Sequence, residues 1–355
     1  MGANENRPIL GKKEKIFLTG HTGFKGTWLT LLLEAMGHEV IGYSLASASN
    51  SLYERLDRSG AIQEYISDIR DVEQLNKAVR AAKPTIVIHM AAQPLVLESY
   101  RIPRETYEIN AQGTANVLEA AFAVETVGVI GAVTTDKVYK NLETQYSYVE
   151  TDALEGSSDP YSGSKVAAEA VISGWKKISD VSGGPKIVTL RSGNVIGGGD
   201  FSEDRLIPDM VRSYLTGVPI QVRNPNSTRP WMHVLDSLVG YLKAIDYTSR
   251  ASVNEVFNFA PLEESLSVQK VLDISSQEWP EMFEVNLSAA FRAKSEANLL
   301  SLNATKSFEL LSWNPFWSQE TAIRSTINWW QEILAHEMTP KSRCDIDIER
   351  VLKHA

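Results

Sequence analysis

The chain has a single cysteine, Cys344, so no disulfide can form within it and no cysteine-rich metal site can be built. Histidine is also sparse. His21, His38, His89, His233, His336 and His354 are scattered, with no pair at the H-x-x-x-H spacing of a metal-binding helix, and no metal is expected. Positive charge is in deficit: 35 Lys and Arg stand against 44 Asp and Glu, a formal charge of −9. That balance argues against a nucleic-acid surface while leaving room for local basic pockets that take phosphates. No apolar run reaches membrane-spanning length, and residues 1–13 are polar without a signal-peptide core. The expectation is a cytoplasmic protein whose partners are small molecules, with no nucleic acid and no membrane.

What the chain does have is an alternation of short apolar runs and amphipathic stretches. Lys15-Ile16-Phe17-Leu18-Thr19-Gly20 reads as a buried strand. Gly20-His21-Thr22-Gly23-Phe24-Lys25-Gly26 turns it into a helix with Phe24, Trp28, Leu31, Leu32, Ala35 and Met36 on one face, ended by Gly37. A glycine-rich turn between a first strand and a first helix lets backbone approach a pyrophosphate, whose charge rests against the free N–H groups of the helix start. Dinucleotide binding is therefore expected. His38-Glu39-Val40-Ile41-Gly42-Tyr43-Ser44 is the second strand. Its end carries neither the acidic residue of an NAD site nor an arginine for a 2′-phosphate, so the choice between NAD and NADP does not follow from it. Asp68, in Ser67-Asp68-Ile69-Arg70-Asp71, which opens the next helix after a short third strand, is placed either to hold an adenine edge or to cap that helix.

Thr85-Ile86-Val87-Ile88-His89-Met90-Ala91-Ala92 is a further buried strand running into small residues. A helix from about Arg104 to Val124 follows, then a strand at residues 127–134 and a sixth at Lys186-Ile187-Val188-Thr189-Leu190-Arg191. The alternation predicts an α/β fold: a Rossmann-type doubly wound parallel sheet, with ligands at the carboxyl ends of its strands, and a smaller mixed α/β substrate-binding domain. The cofactor domain is expected at residues 14–190 plus part of 230–262, where Val256-Phe257-Asn258-Phe259 returns to the sheet. The substrate domain takes 191–229 and 263–335, and 1–13 and 336–355 are read as tails. Trp329 and Trp330 are read as core or interface residues.

Tyr161 and Lys165 lie four residues apart behind Asp159-Pro160, a helix cap and first helical position, so both side chains share one helix face. A phenol beside an ammonium is a tunable acid-base pair, and the cation is expected to bring the Tyr161 pKa from about 10 toward working pH. An isolated Y-x-x-x-K also describes a solvated helix face. The segments around this pair decide between the two.

Those segments are Gly20-His21-Thr22-Gly23-Phe24-Lys25-Gly26, His89-Met90-Ala91-Ala92-Gln93-Pro94-Leu95-Val96, Asp136-Lys137-Val138-Tyr139 and Tyr161-x-x-x-Lys165. They continue with Gly193-Asn194-Val195-Ile196-Gly197-Gly198-Gly199-Asp200, Asp204-Arg205-Leu206-Ile207-Pro208-Asp209, Arg223-Asn224-Pro225 and Arg229-Pro230-Trp231. In this order the chain from Lys15 to about Leu334 resembles the extended short-chain dehydrogenase/reductase superfamily, and within it most closely the CDP-glucose 4,6-dehydratases, which have Lys after the catalytic Asp where related dehydratases have Glu. The resemblance implies NAD as cofactor. Gly20, Thr22, Gly23, Phe24, Lys25 and Gly26 would hold it with Ser44, Asp68, Ile69, Ala91, Ala92, Gln93, Asn110, Tyr161 and Lys165. The implied substrate is a nucleotide sugar, CDP-glucose first among them, held by Ser99, Asn194, Arg205, Leu206, Arg223, Arg229 and Arg292.

In the chemistry so implied, Tyr161 takes the O4 proton as hydride leaves C4, and Thr135 hydrogen-bonds O4 or relays its proton. Asp136 is the acid for the C6 oxygen. Lys137 is either the base at C5 or the group that fixes Asp136 or a water, since a lysine is a base only where burial or a neighbouring cation lowers it. Arg229 could instead pair with a surface carboxylate. Thr134-Thr135 stands where relatives often have Thr-Ser, and between Glu263 and Glu296 the match is thin, which leaves room for another nucleotide or sugar. A sugar-nucleotide 4-epimerase and a non-catalytic cofactor-binding regulator are the competing readings. The resemblance also implies a homodimer, or a dimer of such dimers, through the helix bearing Tyr161 and the one from Arg104, with Val166, Ala167, Ala170 and Val171 at the contact.

Overall fold

The computed structural model describes residues 9–222, 224–286 and 299–355. Its centre is a parallel sheet of seven strands: β1 (Lys15–Thr19), β2 (Glu39–Ser44), β3 (Gln63–Ile66), β4 (Ile86–His89), β5 (Val129–Val133), β6 (Lys186–Ser192) and β7 (Glu255–Phe259). They run in the order β7-β6-β5-β4-β1-β2-β3. The chain builds outward from β1 in one direction and restarts at β4 in the other. Connections leaving β1 and β4 therefore diverge, and a crevice opens at the carboxyl ends of the strands.

Strand alternation sends neighbouring side chains to two separate cores. Ile16, Leu18, Ile86, Ile88, Val188 and Leu190 join one, where α1 (Phe24–Ala35) packs. Phe17, Val87, Ile130 and Ile187 join the other, beneath α2 (Val72–Ala82), α3 (Gly113–Phe122) and α4 (Pro160–Ser182). Trp329 and Trp330 are fully buried in the first core, as the sequence reading held.

Two expectations change. The helix from about Arg104 to Val124 is broken into Pro103–Tyr107, a π-helical turn Glu108–Gln112, and α3. The wide turn directs Asn110 inward, where it is 1% exposed. The carboxyl segment read as a tail from residue 336 instead contains α6 (Pro340–Leu352), packed against α1 and α5 (Val234–Ala251). Cys344, Ile348 and Val351, spaced three and four residues apart, are buried on its inner face. Arg343 pairs with Asp347 at 2.6 Å and Glu332 at 2.7 Å. A polar composition with one narrow apolar stripe hid this helix. At the other end, Ile9 and Leu10 are already in the core, so the leader docks before residue 13.

The smaller part of the molecule is built from short paired strands, Asn194–Ile196 with Trp231–His233 and Ile220–Gln221 with Val285–Asn286, around the helices Leu206–Thr216 and Val268–Glu278. It closes the crevice from above. No helix among the described residues is long and apolar enough to cross a membrane.

Because α6 is docked, Ile348→Ala should lower the unfolding free energy by about 2–4 kcal/mol in chemical denaturation. A change below about 0.5 kcal/mol, the usual range for an exposed site, would restore the tail reading.

Candidate active site

The crevice encloses about 790 Å³. Its floor is the glycine turn. Gly20 has φ +81°, and a side chain there would meet Ala91 N at 2.8 Å; one on Gly26 would reach the Gly20 carbonyl oxygen at 2.0 Å. The turn and the start of α1 are thus closed against β4 with no space for a Cβ. Gly23 opens α1 without a side-chain cap, which leaves the first-turn N–H groups for a diphosphate. Thr22 donates to the Leu45 carbonyl at 2.9 Å and shares a 2.7 Å hydrogen bond with the Ser44 hydroxyl, tying the turn to the end of β2. These features fit a dinucleotide.

Gly20, Thr22, Gly23, Phe24, Lys25 and Gly26 line the cavity, as do Ser44, Asp68 and Ile69 on one flank and Ala91, Ala92 and Gln93 on the other. Asp68 is held by Arg70, whose backbone and guanidinium donate to it at 2.6–3.0 Å, and that pairing lowers its pKa. The cap of α2 is Asp71, which accepts from Gln74 N, so Asp68 is not the helix cap. Asn110 lies behind the wall. Its amide accepts from Gln93 N at 2.8 Å and donates to the Gln93 carbonyl and to Ser164, joining the β4 loop to α4.

Asp159 caps α4 by accepting from Ser162 N at 2.8 Å, with Pro160 in the first turn. Tyr161 and Lys165 both reach the cavity. Ser99, expected at the substrate, is fully buried and accepts from Tyr161 N at 3.1 Å; it holds the helix start. From β5 the chain turns through Thr134 and Thr135 into a single 3-10 turn, Asp136–Val138. Thr135 accepts from Lys137 N at 3.3 Å and donates to Asp136 at 2.9 Å. Thr135, Asp136 and Lys137 line the same cavity as Tyr161 and Lys165, and so do Asn194, Arg205, Leu206 and Arg229. Arg223 and Arg292 lie outside the described residues.

Burial reverses one expectation. The Tyr161 phenol is pushed up to about 12, chiefly by desolvation; Asp136 and Asp159 add to that, while hydrogen bonding with Thr135 and the charge of Arg205 oppose it. Lys165 is itself lowered to about 8 by burial, with Glu169 pulling the other way. Removing both groups from water penalises the charged form of each, and this outweighs the benefit of their proximity. Burial also raises Asp136 above the usual carboxylate range, against Lys137, Thr135 and Arg229. A carboxyl raised in this way holds its proton to higher pH than an ordinary one, which suits an acid for a leaving hydroxyl.

Sequence reasoning missed the partner of Lys25. Its ammonium donates to the Tyr241 hydroxyl at 2.7 Å and lies 4.7 Å from the ring centre. Desolvation, then Arg205 and Lys165, lower it to about 7. Tyr241 stands among the buried Leu238, Leu242 and Ile245, and it shares a 2.6 Å hydrogen bond with Ser192 at the end of β6. An acidic chain thus brings five cationic side chains, Lys25, Lys137, Lys165, Arg205 and Arg229, to one crevice, as diphosphate binding requires.

Residues 16–260 match the model of the NAD dependent epimerase/dehydratase family. The chain belongs to that family. Among curated relatives it is 39% identical over 325 residues, 89% of this chain and 90% of the other, to a CDP-glucose 4,6-dehydratase of Salmonella typhimurium. Among solved structures it is similar to a UDP-glucose-4-epimerase from Stenotrophomonas maltophila with bound NAD (TM-score 0.79, 20% identity, covering 91% of this chain and 99% of that one). It is also similar to a dTDP-glucose 4,6-dehydratase from Streptomyces venezuelae with NAD bound (TM-score 0.77, 23% identity, 90% and 98%). The family is NAD-dependent, in agreement with the glycine cradle, and the enzyme is of the nucleotide-sugar dehydratase and epimerase type.

The raised phenol can be measured. In cofactor-free protein, a difference titration of phenolate absorbance between wild type and Tyr161→Phe should show no Tyr161 ionisation below about pH 10. A transition near neutrality would contradict the dominance of burial.

Proposed function

We propose that this enzyme is a lyase that converts CDP-glucose to CDP-4-keto-6-deoxyglucose. The observation that carries the reading is the placement of Asp136, buried and biased toward its protonated form, on the cavity wall with Thr135 and Tyr161. An epimerase needs no acid at C6. The similarity to the Salmonella dehydratase supports the same choice.

Bound NAD would accept a hydride from C4 and return it to C6. In this reading Tyr161 takes the proton of O4 as phenolate, its own proton having gone to solvent once the added positive charge of bound NAD favours ionisation, and Thr135 hydrogen-bonds that oxygen or relays its proton. The ketone at C4 acidifies C5–H. Lys137 removes that proton, or orders a water that does so while fixing Asp136. Asp136 protonates the C6 oxygen as it departs as water, and a proton returns to C5 as the hydride reaches C6. Lys165 supplies positive potential behind the phenol. Asn194, Arg205, Leu206 and Arg229 hold the nucleotide and diphosphate, where arginine's fork suits paired phosphate oxygens. Arg223 and Arg292 belong to the same proposal on the resemblance alone. A homodimer through α4 follows the same reading, with Val166, Ala167 and Val171 only half-buried and Ala170 exposed within one chain.

Incubation with CDP-glucose and NAD should generate the alkaline ultraviolet absorbance of a 4-keto-6-deoxy sugar. CDP-galactose would mark an epimerase, and no product would mark a cofactor-binding regulator. Asp136→Asn should slow product formation by about 100-fold or more, the scale of one lost acid. Lys137→Met should leave C4 oxidation intact and block elimination; an unaltered rate of keto-sugar formation would remove Lys137 from the chemistry.

A further inference from the structure

One buried ion pair outside the cavity contacts both ends of the catalytic turn. Glu169 lies on α4, one helical turn beyond Lys165, and is buried with Arg191 of β6. Arg191 donates to its two carboxylate oxygens, from Nε at 2.7 Å and from the terminal nitrogen at 3.0 Å. The first of those oxygens also accepts the Thr134 hydroxyl at 2.7 Å. The other terminal nitrogen of Arg191 donates to the Tyr139 hydroxyl at 2.8 Å and to the Glu150 carbonyl at 3.2 Å, and the guanidinium lies 5.0 Å from the Tyr139 ring centre. Tyr139 passes its own proton to Asn258 at 2.7 Å. Thr134 immediately precedes the turn Asp136–Val138 and its cap Thr135, and Tyr139 immediately follows it.

We infer that Glu169 and Arg191 are positioning residues, a buried clamp that grips residues 134–139 at both ends and fixes Thr135, Asp136 and Lys137 relative to Tyr161 and Lys165 on α4. The pair crosses from helix to sheet, so it sets the distance between the two halves of the catalytic apparatus. Bidentate geometry suits this, because arginine's planar fork fixes orientation as well as distance. A buried ion pair is weak evidence for stability, since apolar packing can often replace one at no loss; the use inferred for this one is geometric. Neither residue touches the cavity, so each acts through the segment it holds. The kinetic consequence rests on the dehydratase reading. The geometric one does not.

Thr134→Val cuts the link to Glu169 and leaves the ion pair whole; Glu169→Gln removes the charge. Asn254→Ala is the control, since Asn254 is an uncharged link between α4 and β6 at their far end, where it donates to the Lys176 carbonyl and Asp180 and accepts from Ile187 N. In amide hydrogen exchange, peptides covering residues 134–139 should lose protection by about tenfold or more in Thr134→Val and Glu169→Gln, and not in Asn254→Ala. With CDP-glucose, kcat should fall about 100-fold, the scale of a 1 Å misplacement, with KM within about threefold. The double variant should lose no more than the worse single one. Unchanged exchange of residues 134–139, additive losses in kcat, or equal losses in Asn254→Ala would overturn the clamp. If wild type turned over no CDP-glucose, the dehydratase reading would fall, and hydrogen exchange would still decide the clamp.

Discussion

Lys25, Asp136, Tyr161 and Lys165 line one crevice, largely withdrawn from solvent, and the penalty for charge there governs each of them. Burial lowers both lysines toward neutrality, raises the phenol, and raises the carboxyl. Each is shifted toward its neutral form, though Lys165, lowered only to about 8, stays largely cationic near neutral pH while Tyr161 keeps its proton. Ion contacts among buried groups are also stronger than the same contacts in water. The same burial that makes the tyrosine a poor base in the resting protein makes Asp136 a credible acid.

The crevice exists because of close backbone packing. Gly20 against Ala91 and Gly26 against Gly20 bring β1, α1 and β4 together at the point where strand order reverses. Around it, residues behind the crevice wall set the positions of residues that line it: Asn110 ties the β4 loop to α4, and Ser99 holds the start of the helix bearing Tyr161. The active residues come from several elements, yet polar links bind those elements into one frame.

Much of this was legible in the sequence because local signals agreed. The glycine spacing, the Asp159-Pro160 helix start and the alternation of strands and helices each have a local cause, and each is found where expected. Other features have non-local causes. Ser99 and Asn110 carry the right residue types in the right order, but only the packed structure shows their hydrogen bonds turned toward α4 rather than the cavity. The π turn through Asn110 is not encoded by any breaker residue. Helix α6 hid behind a polar composition: Lys341 with Asp345 and Arg343 with Asp347 pair within it, Lys353 with Glu349 at its end, and its docking rests on Arg343 with Glu332 and on a narrow apolar stripe. Tyr241 sits among apolar neighbours that give no sign of a polar partner. The Tyr161 pKa was misjudged for the same reason. Spacing shows which charges are near, whereas desolvation depends on everything that covers them.

The central claim is that a hydrogen taken from C4 of the sugar is handed back at C6 of the same molecule, with water lost in between. The most direct test is turnover of CDP-glucose carrying deuterium at C4, followed by nuclear magnetic resonance of the product. The account predicts a 4-keto-6-deoxy sugar with deuterium at C6. A product that keeps deuterium at C4, or a keto sugar without label at C6, would contradict it.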